Sequence, residues 1–501
     1  MKKLKEVESN RKLYHNDSTL NSVHRASLMV PEIHGTDVDI SFLNHFFLKR
    51  NYQNIACKVT AIDMNGNKIL SKLHTINKPI VYNIALTGMV EKPVSNYMIE
   101  FFSPENLFIP FPAVMINHKG KGFINQVHSF NRVLNDVFED DSINSHQVKE
   151  ASVDLPLKPN SDTFLLFSAG PLPCLETFEI EITTRGNVYK KQYTLNLPRF
   201  GTKKISIKEN FDELPQGEGG IIKAKQPRQL LFYGRMLTGQ SQTDGSFSAN
   251  HSYYDSSTTE EYWDDDRNSG RSYPFFPELR NIARLYPIMS PSNLEIFIEL
   301  FNNDGILINE IDINSLQSPS INFLDIDINS IIQKENLNSN EISTFSIIAK
   351  TNSGKMPTRI GHQLIYGAGG LDSSIAVSLF NPNLFIPSDK KSFKWGQIIS
   401  GADFDSLVGI VADPNENPNI KIHEAHVKFY NSNGLVLEKN WKIKNGTTKK
   451  FYANEELNSY YESEKFPTYF WCTIESEHYG LNFFSTAFNK ITKHTSGDHG
   501  F

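Results

Sequence analysis

A chain of 501 residues is too long for one hydrophobic core, and 39 % hydrophobic with 12 % aromatic residues makes it too apolar to be disordered. Its net charge of −6 offers no basic excess to hold a phosphate backbone, which argues against nucleic acid as a partner. No run approaches ~18 apolar residues, so no transmembrane helix is expected.

In chain order, residues 1–27 are polar and carry Lys2, Lys3, Lys5, Arg11 and Lys12. No apolar segment follows these charges, so they read as a tail and not as a secretory signal. The cytoplasm is the expected compartment, with the cell surface by a leaderless route as the alternative. Cys57, Cys174 and Cys472 stand far apart in apolar runs, as buried free thiols do.

Residues 55–62 run into Asp63-Met64-Asn65-Gly66-Asn67 and return at Lys68, and the pattern recurs three times more. Residues 178–182 lead into Arg185-Gly186, residues 294–300 into Asp304-Gly305, and residues 425–429 into Asn433-Gly434. Asn-Gly and Asp-Gly between alternating runs are hairpin signals, because tight hairpin turns need positive φ. Each hairpin is followed at a distance by a closing strand. Residues 124–130 carry His128, 246–253 carry His251, 374–379 carry Val377 and 496–501 carry His499, with 122 to 126 residues between successive key positions. Further short β-like runs lie between, and segments such as 277–284 are the only helical pieces expected. The predicted fold class is all-β: four tandem antiparallel β-sandwich units of about 110–125 residues and roughly seven strands each. Their bounds are 28–132, 145–255, 274–382 and 395–501.

In its period, hairpins and strand alternation the chain resembles tandem immunoglobulin-like or fibronectin-like β-sandwich repeat proteins. The resemblance covers most of residues 30–501 and is one of architecture. It implies Ig-like sandwiches and assigns no residue a function.

Alternate residues of a strand share a face. Phe247, Ala249, His251 and Tyr253 therefore point one way, as do Ile124, Gln126, His128 and Phe130. Ile375, Val377 and Leu379 form the same face in the third unit, with valine in the histidine's place. The predicted role is a packed histidine whose ring N–H bonds a backbone carbonyl. Three such histidines meet at one metal only if the array folds back on itself.

His423-Glu424-Ala425-His426 is one residue short of the zinc protease pattern and puts its histidines on opposite faces of a strand. Gly367-Ala368-Gly369-Gly370 reads as a tight turn. With no phosphate loop, nucleophile elbow or paired-cysteine signature, no catalytic, cofactor-binding or metal residue is assigned. The candidate ligand surface is the acidic linker with Asp255, Glu260, Glu261, Trp263, Asp264, Asp265 and Asp266. It offers carboxylates for calcium at an inter-unit joint, or an aromatic platform for a sugar or peptide, against an ordinary solvated linker. The expected function is a non-catalytic, multi-domain protein that binds a protein or carbohydrate partner or supports an assembly. The alternative is an enzyme acting on a glycan or its precursor at a unit–unit junction.

Overall fold

The computed structural model describes residues 26–103, 113–133, 149–152, 155, 161–170, 173–184, 186–215, 219–225, 231–232, 236–254, 262–263, 268–285, 294–316, 323–351, 355–357, 360–379, 391–463 and 467–501. The predicted polar tail lies outside them up to residue 25. Within them the chain folds as β-sandwich units repeated to one plan. The first unit has strands Ala26–Pro31, Asp37–Leu43, Ile55–Asp63, Lys68–Ile76, Val81–Ala85, Val94–Phe102, Met115–Gly120 and Phe123–His128. Counted first to eighth, they pair first-sixth-third-fourth in one sheet and fifth-second-seventh-eighth in the other, all antiparallel.

The same order recurs from Ser269–Pro274 to Ser373–Ser378 in the third unit and from Ser392–Ser400 to Thr495–His499 in the fourth. The second unit runs from Lys149–Ser152 to Phe247–His251 and adds Tyr253–Tyr254 at a sheet edge. Eight strands replace the roughly seven expected. The fifth strands are Val81–Ala85, Thr202–Ser206, Leu324–Asp327 and Thr448–Tyr452, the second of them overlapping a β-like run of the sequence. This order also differs from the immunoglobulin arrangement of first-second-fifth-fourth against third-sixth-seventh. Arg280–Leu285 is a strand where the pattern predicts a short helical piece, because it pairs on both sides and sheet context overrides local preference.

Alternation fixes which side chains enter each core. Ile55, Cys57, Val59 and Ala61 of one strand are all buried, while Lys58 lies between them at the sheet's outer face. Fourth strands are outer edges, and Lys68, Lys72, Lys190, Lys191, Lys439 and Lys442 keep them from pairing with other chains. Cys57, Cys174 and Cys472 are buried and free, and burial pushes the thiols of Cys57 and Cys472 up. Among the described residues no helix is long and apolar enough to cross a membrane.

The units are not beads on a string. Phe164 and Phe247 of the second and Trp395 and Trp471 of the fourth join the first unit's core. Leu407, Val411 and Phe484 of the fourth and Ile221 of the second join the third's. One contact repeats from unit to unit. The third–fourth strand turn of one unit presses on the segment entering the next unit's fifth strand. Gly66 meets Arg199, whose Nε donates to its carbonyl at 3.2 Å; Gly305 meets Asn445; and Gly434 of the fourth unit meets Ile80 of the first. A head-to-tail contact that closes after a whole turn makes a ring. Four units close one here within a single chain. The corresponding contact between the second and third units would fall partly on residues 317–322, outside the described ones.

Candidate functional site

The ring closes around its eighth strands. Phe123–His128 lies against Phe247–His251 and Thr495–His499, and Ser373–Ser378 lies against the same two from the other side. Each of these strands is a sheet edge, so one row of its N–H groups has no strand to bond. The neighbouring closing strand supplies the acceptors. The Gln126 N–H donates to Ser496 Oγ at 2.8 Å, and the Ala249 N–H donates to Asn125 Oδ1 at 2.6 Å. Ser496 and Asn125 both stand three residues before their unit's key histidine, so this is one contact made at two seams. The His128 N–H donates to Asp498 Oδ2 at 2.7 Å, and the Ser373 N–H to Thr495 Oγ1 at 2.6 Å.

The keyed histidines gather at this junction. His128 and His251 approach with ring centroids 4.5 Å apart and Nε2 atoms 3.1 Å apart. His128 and His499 have centroids 4.9 Å apart. Val377, also buried, is the fourth keyed position. His251 Nδ1 lies 2.9 Å from the Ser252 carbonyl, and His499 Nδ1 lies 2.8 Å from the Gly500 carbonyl. A carbonyl only accepts, so both Nδ1 atoms carry a proton and, in the neutral rings, both Nε2 atoms carry a lone pair. His251 Nε2 therefore accepts from His128 Nε2–H. On its other side His128 Nδ1 lies 3.0 and 3.1 Å from the two Asp498 oxygens, an ion pair when the imidazole is protonated.

Electrostatics follow from burial. Burial would raise the Asp498 carboxyl, but the charge and hydrogen bonds of His128, with the charge of His499, hold it below the usual carboxylate range. His499 is pushed down to about 4, first by burial and then by the charge of His128. His128, Asp498 and His499 each place a ligand atom within 4.8 Å of the others. The Phe501 ring stacks on Trp395 and Trp471 and meets His128 edge-on at 5.7 Å. Gln397 Nε2 donates to Asn117 Oδ1 and Gln126 Oε1, and Trp471 Nε1 to Ser41 Oγ, across the first–fourth seam.

Backbone carbonyls hold His251 and His499 as expected, but His128 bonds a carboxylate of another unit. The histidine-bearing face of the first closing strand does not line its own core. Ile124 packs with Ile399, Tyr469 and Ala487 of the fourth unit, and Gln126 bonds Ser496. Asp498 and Asn125 escaped the sequence reading, although Asp498 sits inside the repeated motif. His423 is buried while His426 pairs with Glu438 at the surface, so the two do not converge. Asp255, Glu260, Glu261, Asp264, Asp265 and Asp266 lie outside the described residues, and the backbone of Trp263 pairs with Met356.

No family model and no curated protein matches this chain. Among solved structures it is weakly similar to a tetra-tandem repeat in the extending region of a large adhesion protein. The identity is 9 %, the TM-score 0.09, and the coverage 94 % of this chain and 97 % of that one.

Proposed function

We propose that this chain is a non-catalytic scaffold that binds a protein or carbohydrate partner through several equivalent contacts at once. The placement of exposed apolar side chains supports this reading. Met64, Leu70 and Leu73, then Leu175 and Val188, then Ile306, Leu307 and Ile308, and finally Ile422 and Leu435 are exposed. All belong to the third and fourth strands of a unit or to the turn between them; one further exposed side chain, Ile491, lies in the turn between the seventh and eighth strands of the fourth unit. Apolar groups left in water at equivalent places on a ring mark an interaction surface. A partner that touches two or more hairpins gains avidity without any new kind of contact. The units at 28–132, 145–255, 274–382 and 395–501 are the repeated modules of this reading.

The full chain screened on protein and glycan arrays, and against a panel of glycosidic substrates, tests it. Binding is expected to fall at least tenfold when Leu73, Leu175, Leu307 and Leu435 are all replaced by Ser in one folded variant, with no turnover. Turnover of a glycan or glycan precursor would establish the enzyme alternative, and binding untouched by the four substitutions would remove the hairpins from the contact.

A further inference from the structure

We propose that His128, Asp498 and His499 bind one zinc-class divalent cation that latches the fourth unit to the first. The inference is independent of the binding role proposed above. Two imidazoles and one carboxylate make a ligand set suited to zinc and its neighbours, and a poor one for calcium or magnesium, which take oxygen ligands. Ligands of a tetrahedral zinc, each about 2.0–2.1 Å from the ion, stand roughly 3.3 Å from one another. His128 Nδ1 and the Asp498 oxygens, at 3.0 and 3.1 Å, need a small outward shift to admit the ion, and the His499 ligand atom, within 4.8 Å of both, closes inward on it.

The hydrogen bonds already select the tautomers that a metal requires. The Gly500 carbonyl fixes the proton of His499 on Nδ1 and leaves its Nε2 as the ligand atom. The Ser252 carbonyl does the same for His251, whose Nε2 then accepts the Nε2–H of His128. That bond keeps the remaining proton of a neutral His128 on Nε2 and turns its Nδ1 lone pair toward Asp498. A histidine that ligates through one nitrogen and donates from the other to a fixed acceptor is the usual outer-shell arrangement of a metal site. The carboxylate is also aimed, because the His128 N–H bonds its Oδ2 and the His499 N–H its Oδ1.

Any proton shared between His128 Nδ1 and Asp498 must leave to solvent as the Nδ1–metal bond forms. His128 and Asp498 are 370 residues apart, so the cation ties the two ends of the described ring together.

The test takes the full chain, stripped with chelator and dialysed, and titrates Zn²⁺ alone by calorimetry with thermal unfolding in parallel. One ion per chain and a raised midpoint are expected, since a ligand of the folded state stabilises it. Asp498→Asn and His499→Gln are expected to abolish uptake, and His251→Gln to weaken it about 10- to 100-fold as the loss of an outer-shell partner. A folded chain that takes up no Zn²⁺ overturns the proposal, as does uptake unchanged in either ligand variant. If neither ligand variant folds, Co²⁺ in the wild-type chain decides. Intense visible bands of four- or five-coordinate Co²⁺ support the site, and the pale spectrum of the hydrated ion overturns it.

Discussion

Asp413 shows how far a single side chain can set the behaviour of a seam. It belongs to the fourth unit, yet its Oδ1 accepts from Ser272 Oγ at 2.7 Å and its Oδ2 from the Ser272 N–H at 3.0 Å in the third. Burial, and then the nearby charge of Glu416, push its carboxyl up from 3.8 to about 6. The folded chain thus holds this proton more tightly than the unfolded chain does. Stability from this group is complete below about pH 4 and is lost as pH rises through about 6. Asp413→Asn removes the titration. Thermal melts at several pH values should show the variant gaining on wild type from about pH 4 to pH 7. A constant offset would mean that Asp413 does not titrate in this window.

At the scale of the element, the hairpin turns and the closing strands were legible in the sequence to different degrees. Gly66, Gly305 and Gly434 stand in turns with φ of 80°, 77° and 120°, and their Asn-Gly and Asp-Gly pairs revealed them. The same glycines touch the next unit, which no local pattern announces. At Gly305 an added Cβ meets the Asn445 carbonyl, whereas at Gly88, with φ of 79°, it meets nothing within 4 Å. Both glycines suffer the left-handed strain of roughly 1–2 kcal/mol on mutation to Ala, but Gly305→Ala must also push a neighbouring backbone away. Urea unfolding should therefore show Gly305→Ala losing more stability than Gly88→Ala; equal losses would mean the turn does not bear on the fourth unit. The closing strands are legible in their repeat, but not in which unit each of their faces is buried against. Alternation separates core from water, and these strands have no water face: Phe123–His128 is buried at every position, and Gln126 and His128 bond another unit. Asp498, next to the keyed His499 on its strand, becomes the partner of a histidine in another unit.

For the whole molecule, the fold class and the four-fold repeat were readable because both are written in periods, whereas ring closure depends on contacts between residues hundreds of positions apart. Histidines are buried in several units, His45 against Trp395 and His118 against Phe247 of neighbouring units, and His362 and His423 within their own. Burial pushes His45 down to about 3 and His118 to about 4. It likewise pushes His362 to about 3, helped by Arg271, and His423 to about 4, helped by His478. These rings stay neutral in the folded chain while the unfolded chain takes up protons below about 6.5. Their stabilising contribution is complete above that pH and is lost as pH falls toward 3–4. Asp413 opposes them in part, as do Glu32, Asp39, Glu299 and Asp405, whose carboxyls burial also raises, but the histidines begin to lose their contribution first, just below about pH 6.5. The melting midpoint of the full chain is expected to fall between about pH 7 and pH 5.5, well before ordinary carboxylates protonate. A midpoint that holds or rises over that range would show that these rings are charged in the fold.

Val377 gives the ring a property that four identical subunits lack. A homotetramer must set the same residue at its centre four times, and four imidazoles there would repel one another on protonation and crowd one another when neutral. Linking the copies into one polypeptide frees each corner to diverge. His128 faces a carboxylate, His251 serves as acceptor, His499 keeps a lone pair, and the third corner carries an inert methyl pair. The centre of this single chain is therefore polarised where that of four identical subunits would be symmetric, with different surroundings at each corner.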